Sequence, residues 1–129
     1  MKKIYIPFEV IGDFMVQVMI KAAIPEVDAK IIADGLLSAD KLGFDSHGVN
    51  RLKPIYLDRI KDWILNPVTN FKIVREGPTT AVIDGQNGMG HVISTNAMRM
   101  AIDKAKKFGM GMVVVRNSSH YGFAGYYPL

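Results

Sequence analysis

Between Pro7 and Ala23, apolar residues recur at Val10, Ile11, Phe14, Met15, Val18, Met19 and Ala22, the three-to-four-residue spacing of one helical face. That stretch is predicted to be a first helix. Pro25 then stands at a favoured first-turn position, and Glu26 and Asp28 place negative charge beside the unpaired N–H groups of a helix start. Val27, Ile31, Ile32, Leu36 and Leu37 carry the helical spacing on towards Leu42, and Gly43 supplies a stop. A third helix is predicted from about Pro54, because a proline deeper inside would clash with the carbonyl four residues earlier. It runs through Tyr56, Ile60 and Trp63 and ends at Asn66 and Pro67.

Beyond residue 67 the texture changes. Phe71 to Val74 and Thr79 to Ile83 are short β-branched and aromatic runs separated by Gly77 and Pro78, which predicts two strands. A glycine turn then leads into a helix from about His91 to Phe108, with Val92, Ile93, Ala97, Ala101, Ile102 and Ala105 on one face. Lys104, Lys106 and Lys107 in its last turns complement the helix dipole, and Gly109 ends it. Met110 to Val115 is apolar throughout, which predicts a strand buried on both faces. The chain therefore reads as mixed α/β. A helical segment occupies 1–67, and the beginning of an α/β cofactor or substrate domain occupies 68–129.

Composition narrows the function classes. Of 129 residues, 49% are hydrophobic and 22% charged, enough apolar content for a folded core. With no cysteine, disulfides, thiolate metal sites and thiol nucleophiles are excluded, and a cytoplasmic location is expected. The net charge of +4 is spread along the chain among acids rather than gathered in a patch, which argues against nucleic acid. No apolar run reaches the roughly twenty residues of a membrane span, and Lys2 to Pro7 lacks the apolar stretch and cleavage site of a secretory leader.

Chemistry can be placed at three points. Gly43 to Arg51 is a polar connection holding Ser46, His47 and Arg51. A histidine exchanges protons near neutral pH, a serine can orient it, and an arginine grips a carboxylate bidentately, so the trio suits a small acid. The competing reading is a surface turn. Arg116 to Tyr127 follows the last apolar strand, where α/β proteins commonly bind ligands, and contains Ser119 and His120. Its competing reading is a turn followed by an amphipathic helix. The third point is the turn with Gly85, Gly88 and Gly90, whose spacing reverses the dinucleotide fingerprint and which lacks the acidic residue about twenty positions on. His91 beside it reads as structural. His47, His91 and His120 show no metal-ligand spacing, so no metal is expected.

Three segments together resemble one family. Ala39-Asp40 with Gly43-Phe44-Asp45-Ser46-His47-Gly48-Val49-Asn50-Arg51-Leu52, then Val82-Ile83-Asp84-Gly85 with Gly88-Met89-Gly90, then Val113 to Gly122 with Ala124 to Tyr127, resemble the malate/L-lactate dehydrogenase family. That family also holds ureidoglycolate, sulfolactate and diketogulonate oxidoreductases. The resemblance implies NAD- or NADP-dependent reduction of a small 2-oxo acid such as those related to malate or lactate, or the reverse oxidation, in a non-Rossmann dehydrogenase fold. It implies His47 as proton donor, Ser46 as its relay partner and Arg51 as the clamp on the substrate carboxylate. His120 matches a histidine treated in some members as proton acceptor, and Ser119 and His120 are placed near substrate or cofactor; of the two histidines His47 is favoured. Family chains are more than twice as long, so this chain corresponds to an N-terminal part of the enzyme. It is expected to be inactive alone and to form a homo-oligomer, such as a dimer, or to join a complementing C-terminal chain. The competing reading is a non-catalytic assembly or binding fragment.

Overall fold

A computed structural model describes residues 4–128. Helices α1 (Phe8–Lys21) and α2 (Glu26–Lys41) each start directly after a proline in extended conformation, Pro7 and Pro25, and pack on one another. Met15 and Met19 of α1 are fully buried with Ile32 and Leu36 of α2. Val10 and Phe14, expected on the buried face, are exposed instead. Among the described residues α2 is the main packing partner of α1, so its apolar stripe narrows to the line of methionines that meets that partner. Burying a side chain of this size contributes roughly 1.5–3 kcal/mol, so Met15 and Met19 anchor the helix.

The third helical segment differs most from expectation. Short 3₁₀ turns at Asp45–His47 and Val49–Arg51 lead into a π-helical stretch, Leu52–Leu57, and then α3, Asp58–Lys61. Pro54 lies inside the π turn rather than at a helix start, and the Asp58 N–H reaches five residues back to the Lys53 carbonyl. The wider turn tolerates a residue with no N–H to give. Trp63 has already left the helix, at φ +60 and 94% exposed, so it does not belong to a buried helical face.

Strands β1 (Lys72–Glu76), β2 (Thr80–Asp84) and β3 (Met112–Arg116) form one mixed sheet in that order. β1 pairs antiparallel with β2, with an irregularity between Ile73 and Arg75, and β3 pairs parallel with β2, Ala81 opposite Val113 and Ile83 opposite Val115. The crossover between the parallel strands is α4 (Gly90–Phe108), stopped by Gly109 in the left-handed region at φ +85. Ile83, Ile93 and Ala97 form a second apolar cluster against which Val113 and Val115 pack. The fold is thus mixed α/β. β3, expected to be buried on both faces, turns Met112 and Val114 outward, each about half exposed. Among the described residues it lies at the sheet edge, with α4 on its inner face.

α4 joins the two apolar clusters, since Met89 at its entry and Val92 belong to the helical one and Ile93 and Ala97 to the sheet. Lys104 departs from the expected dipole role: it is buried, and its Nζ donates to Glu76 Oε1 at 2.7 Å and the Gly77 carbonyl at 2.8 Å. After His120 the chain makes only a 3₁₀ turn, Ala124–Tyr126, rather than an amphipathic helix. Among the described residues, no helix is long and apolar enough to cross a membrane.

Candidate functional site

Asp40, near the end of α2, sets the conformation of the loop that follows. Its Oδ2 accepts the Val49 N–H at 2.8 Å, and Gly48 lies so close to the carboxylate that any Cβ there would collide with it. Within the loop so held, Ser46 Oγ is 2.8 Å from His47 Nδ1, and Arg51 Nε donates to the Ser46 carbonyl. Both side chains are therefore tied to one serine. His47 and Arg51 are half-buried, while Ser46 is exposed.

The segment after β3 brings a second histidine to the first. The His47 and His120 rings stack with centroids 5.7 Å apart and 24° between planes. Behind them the π turn carries Tyr56, fully buried, whose hydroxyl lies 2.8 Å from His91 Nδ1 and 3.2 Å from His120 Nδ1. The Gly122 N–H also donates to His120 Nδ1, at 3.2 Å. His91, at the start of α4, has no exposed surface, and a Cβ at either Gly35 or Gly122 would run into its ring. Its Nε2 has no hydrogen-bond partner.

Burial, with a smaller contribution from His120, pushes His91 down to about 3, so it is neutral at physiological pH. His120 is also held below the ordinary histidine value, first by burial, then by the neighbouring His47, Arg51 and Arg59. Burial raises the Tyr56 phenol well above its usual range, and it pushes Tyr127 up to about 12. The cluster thus combines the Arg51 guanidinium with imidazoles and a protonated phenol, a set able to hold an anion and exchange a proton with it.

The structure gathers Ser46, His47, Arg51 and His120 in one place. Ser119 faces elsewhere, its hydroxyl accepting the Gly90 N–H at 2.9 Å. The sequence pattern places Tyr56 along the third helix and His91 as structural, and marks neither as part of the site. The usable signal was that a buried tyrosine and a buried histidine both need hydrogen-bond partners. Among the described residues, no three His, Asp or Glu side chains are grouped to hold a metal ion.

The glycine turn does not fit a pyrophosphate. A Cβ at Gly90 would strike the Ser119 and His120 carbonyls, one at Gly85 would strike Ile93 and the Asn117 carbonyl, and one at Gly88 would meet Thr69. These glycines admit the protein's own chain. The first N–H groups of α4 are also taken, Met89 by Thr69 Oγ1 at 3.2 Å and Gly90 by Ser119.

A profile of the malate/L-lactate dehydrogenase family matches residues 6–129. The chain belongs to the malate/L-lactate dehydrogenase family. Within it, malate dehydrogenase of Pyrococcus abyssi is 51% identical over 124 residues, covering 96% of this chain and 34% of that protein. L-sulfolactate dehydrogenase of Methanocaldococcus jannaschii is 49% identical over 113 residues, covering 88% and 33%. The crystal structure of malate dehydrogenase from Entamoeba histolytica superposes with a TM-score of 0.94 at 50% identity, over 98% of this chain and 35% of that one. This malate/L-lactate dehydrogenase family chain thus spans about a third of the length of the relatives it matches.

Proposed function

We propose that this chain is the N-terminal part of an NAD- or NADP-dependent oxidoreductase that interconverts small 2-hydroxy and 2-oxo acids such as malate or lactate, and that it supplies the proton transfer and the carboxylate clamp. The observation that carries the reading is the convergence of His47, Ser46, Arg51 and His120 from two distant segments. In reduction, His47 gives a proton to the carbonyl oxygen of the 2-oxo acid. In the reverse direction it takes the hydroxyl proton. Ser46 at Nδ1 orients the ring and leaves Nε2 for the substrate, which makes Ser46 the relay partner. Arg51 spends its Nε on the Ser46 carbonyl and keeps its terminal N–H groups for the substrate carboxylate. His120, neutral and stacked on His47, forms the far wall of this site.

When bound, the nicotinamide supplies or accepts the hydride. The glycine turn offers it no pyrophosphate seat, so the reading places that seat outside these residues. The family resemblance assigns Ser119 and His120 to the cofactor side of the site, His120 being the one of the two that lies in the histidine cluster. Homologues named for malate and for sulfolactate support a small anionic hydroxy acid as substrate. The rest of the reading is a cytoplasmic enzyme acting as a homo-oligomer or with a complementing C-terminal chain. A non-catalytic assembly fragment is the second reading, favoured by the open β3 edge.

Arg51→Ala in the full-length enzyme tests the assignment of substrate. KM for the 2-oxo acid should rise at least tenfold with cofactor affinity unchanged, since a charge-assisted pair contributes about 1.5–3 kcal/mol. An unchanged KM would remove Arg51 from the substrate site.

A further inference from the structure

The buried pair Tyr56 and His91 has no part in the proton transfer just described, yet it hydrogen-bonds to the site histidine. A backbone N–H cannot reverse its polarity, so the Gly122 N–H facing His120 Nδ1 requires a lone pair there. His120 then carries its proton on Nε2. The Tyr56 hydroxyl, 3.2 Å from the same Nδ1, donates to that lone pair as well, sharing it with the Gly122 N–H, which leaves its oxygen to accept from His91 Nδ1 at 2.8 Å. His91 therefore has its proton on Nδ1 and a bare Nε2, in agreement with the absence of any partner at that nitrogen. Gly35 and Gly122, where no Cβ fits, hold the ring at this position.

We propose that His91 is a positioning residue that acts through Tyr56 to fix the tautomer of His120, keeping its proton on Nε2 and a lone pair on Nδ1. The inference rests on the proposed catalytic reading of the histidine pair. The relay is one-way: His91 N–H to Tyr56 oxygen, Tyr56 O–H to His120. A cation at His120 would set an Nδ1–H against two donors, so the relay opposes protonation of that ring. The groups facing His120 from the surrounding elements are His47, Arg51, Arg59, Tyr56 and His91. Of these, His47, Arg51 and Arg59 lower the His120 pKa electrostatically, in the same direction as the relay.

The test is ¹⁵N NMR of the imidazoles in the full-length protein across a pH series, with turnover measured alongside. The expected wild-type His120 signal is the Nε2–H tautomer. Tyr56→Phe and His91→Leu should each raise its pKa by about half a unit to one unit, the equivalent of one hydrogen bond. His91→Asn, which can place an N–H where Nδ1 stood, should restore it. An Nδ1–H tautomer in the wild type, readable even if a variant fails to fold, overturns the proposal. So does a His120 pKa unmoved by Tyr56→Phe. A shifted His120 with unchanged turnover supports the relay and removes His120 from the catalytic reading.

Discussion

His91 sits where water cannot solvate its cation, and this couples the stability of the fold to pH. Its folded pKa of about 3 lies below the 6.5 of a free histidine, so between these values the unfolded chain binds the extra proton. Stability is therefore present above about pH 6.5 and is lost progressively as pH falls towards 3. His120, also lowered, acts in the same direction. Urea denaturation at a series of pH values should show this decline, and His91→Asn should flatten it. An equally steep decline in the variant would assign the acid sensitivity to other groups. At this scale the sequence displayed Ser46, His47 and Arg51 because they lie within six consecutive residues. Tyr56 and His91 stayed hidden because they are 35 residues apart, and neither stands in a motif that would pair it with the other.

The loop that carries His47 depends on the element before it. Asp40 satisfies the Val49 N–H, and its loss should cost about 1–2 kcal/mol, as for other side-chain caps on free backbone donors. Asp40→Ala should lower the denaturation midpoint accordingly, and Asp40→Asn, which keeps an acceptor oxygen, should recover most of it. Gly48→Ala should do more damage, because the carboxylate occupies the space of the new methyl. No effect from Asp40→Ala would mean that the loop is held by other contacts. Helices α1, α2 and α4 were legible because their apolar positions repeat over many turns and prolines and glycines mark their ends. The segment around Pro54 was not, since a π turn that absorbs a proline leaves no periodic trace. β3 misled because continuous apolarity indicates cover on both faces, while among the described residues only α4 covers it.

In the molecule as a whole, that uncovered strand borders a groove of about 500 Å³ between α4 and β3, lined by Ala97, Met98, Met112, Val113, Tyr121 and Tyr127. An open strand edge beside an apolar groove favours association. On the proposed reading, the 129 residues alone should self-associate in solution and should oxidise neither NADH nor NADPH with any 2-oxo acid. Light scattering and a spectrophotometric assay beside a full-length relative check both. A monomer with robust turnover would place the cofactor site within this chain. The account's central claim is that His47 moves the proton, and the direct measurement is the turnover of full-length His47→Ala together with its affinity for the reduced cofactor. Loss of the general acid should lower kcat by about a hundredfold to ten-thousandfold and leave the cofactor Kd within twofold. Wild-type turnover in that variant, or a large loss of cofactor affinity with kcat unchanged, would contradict it.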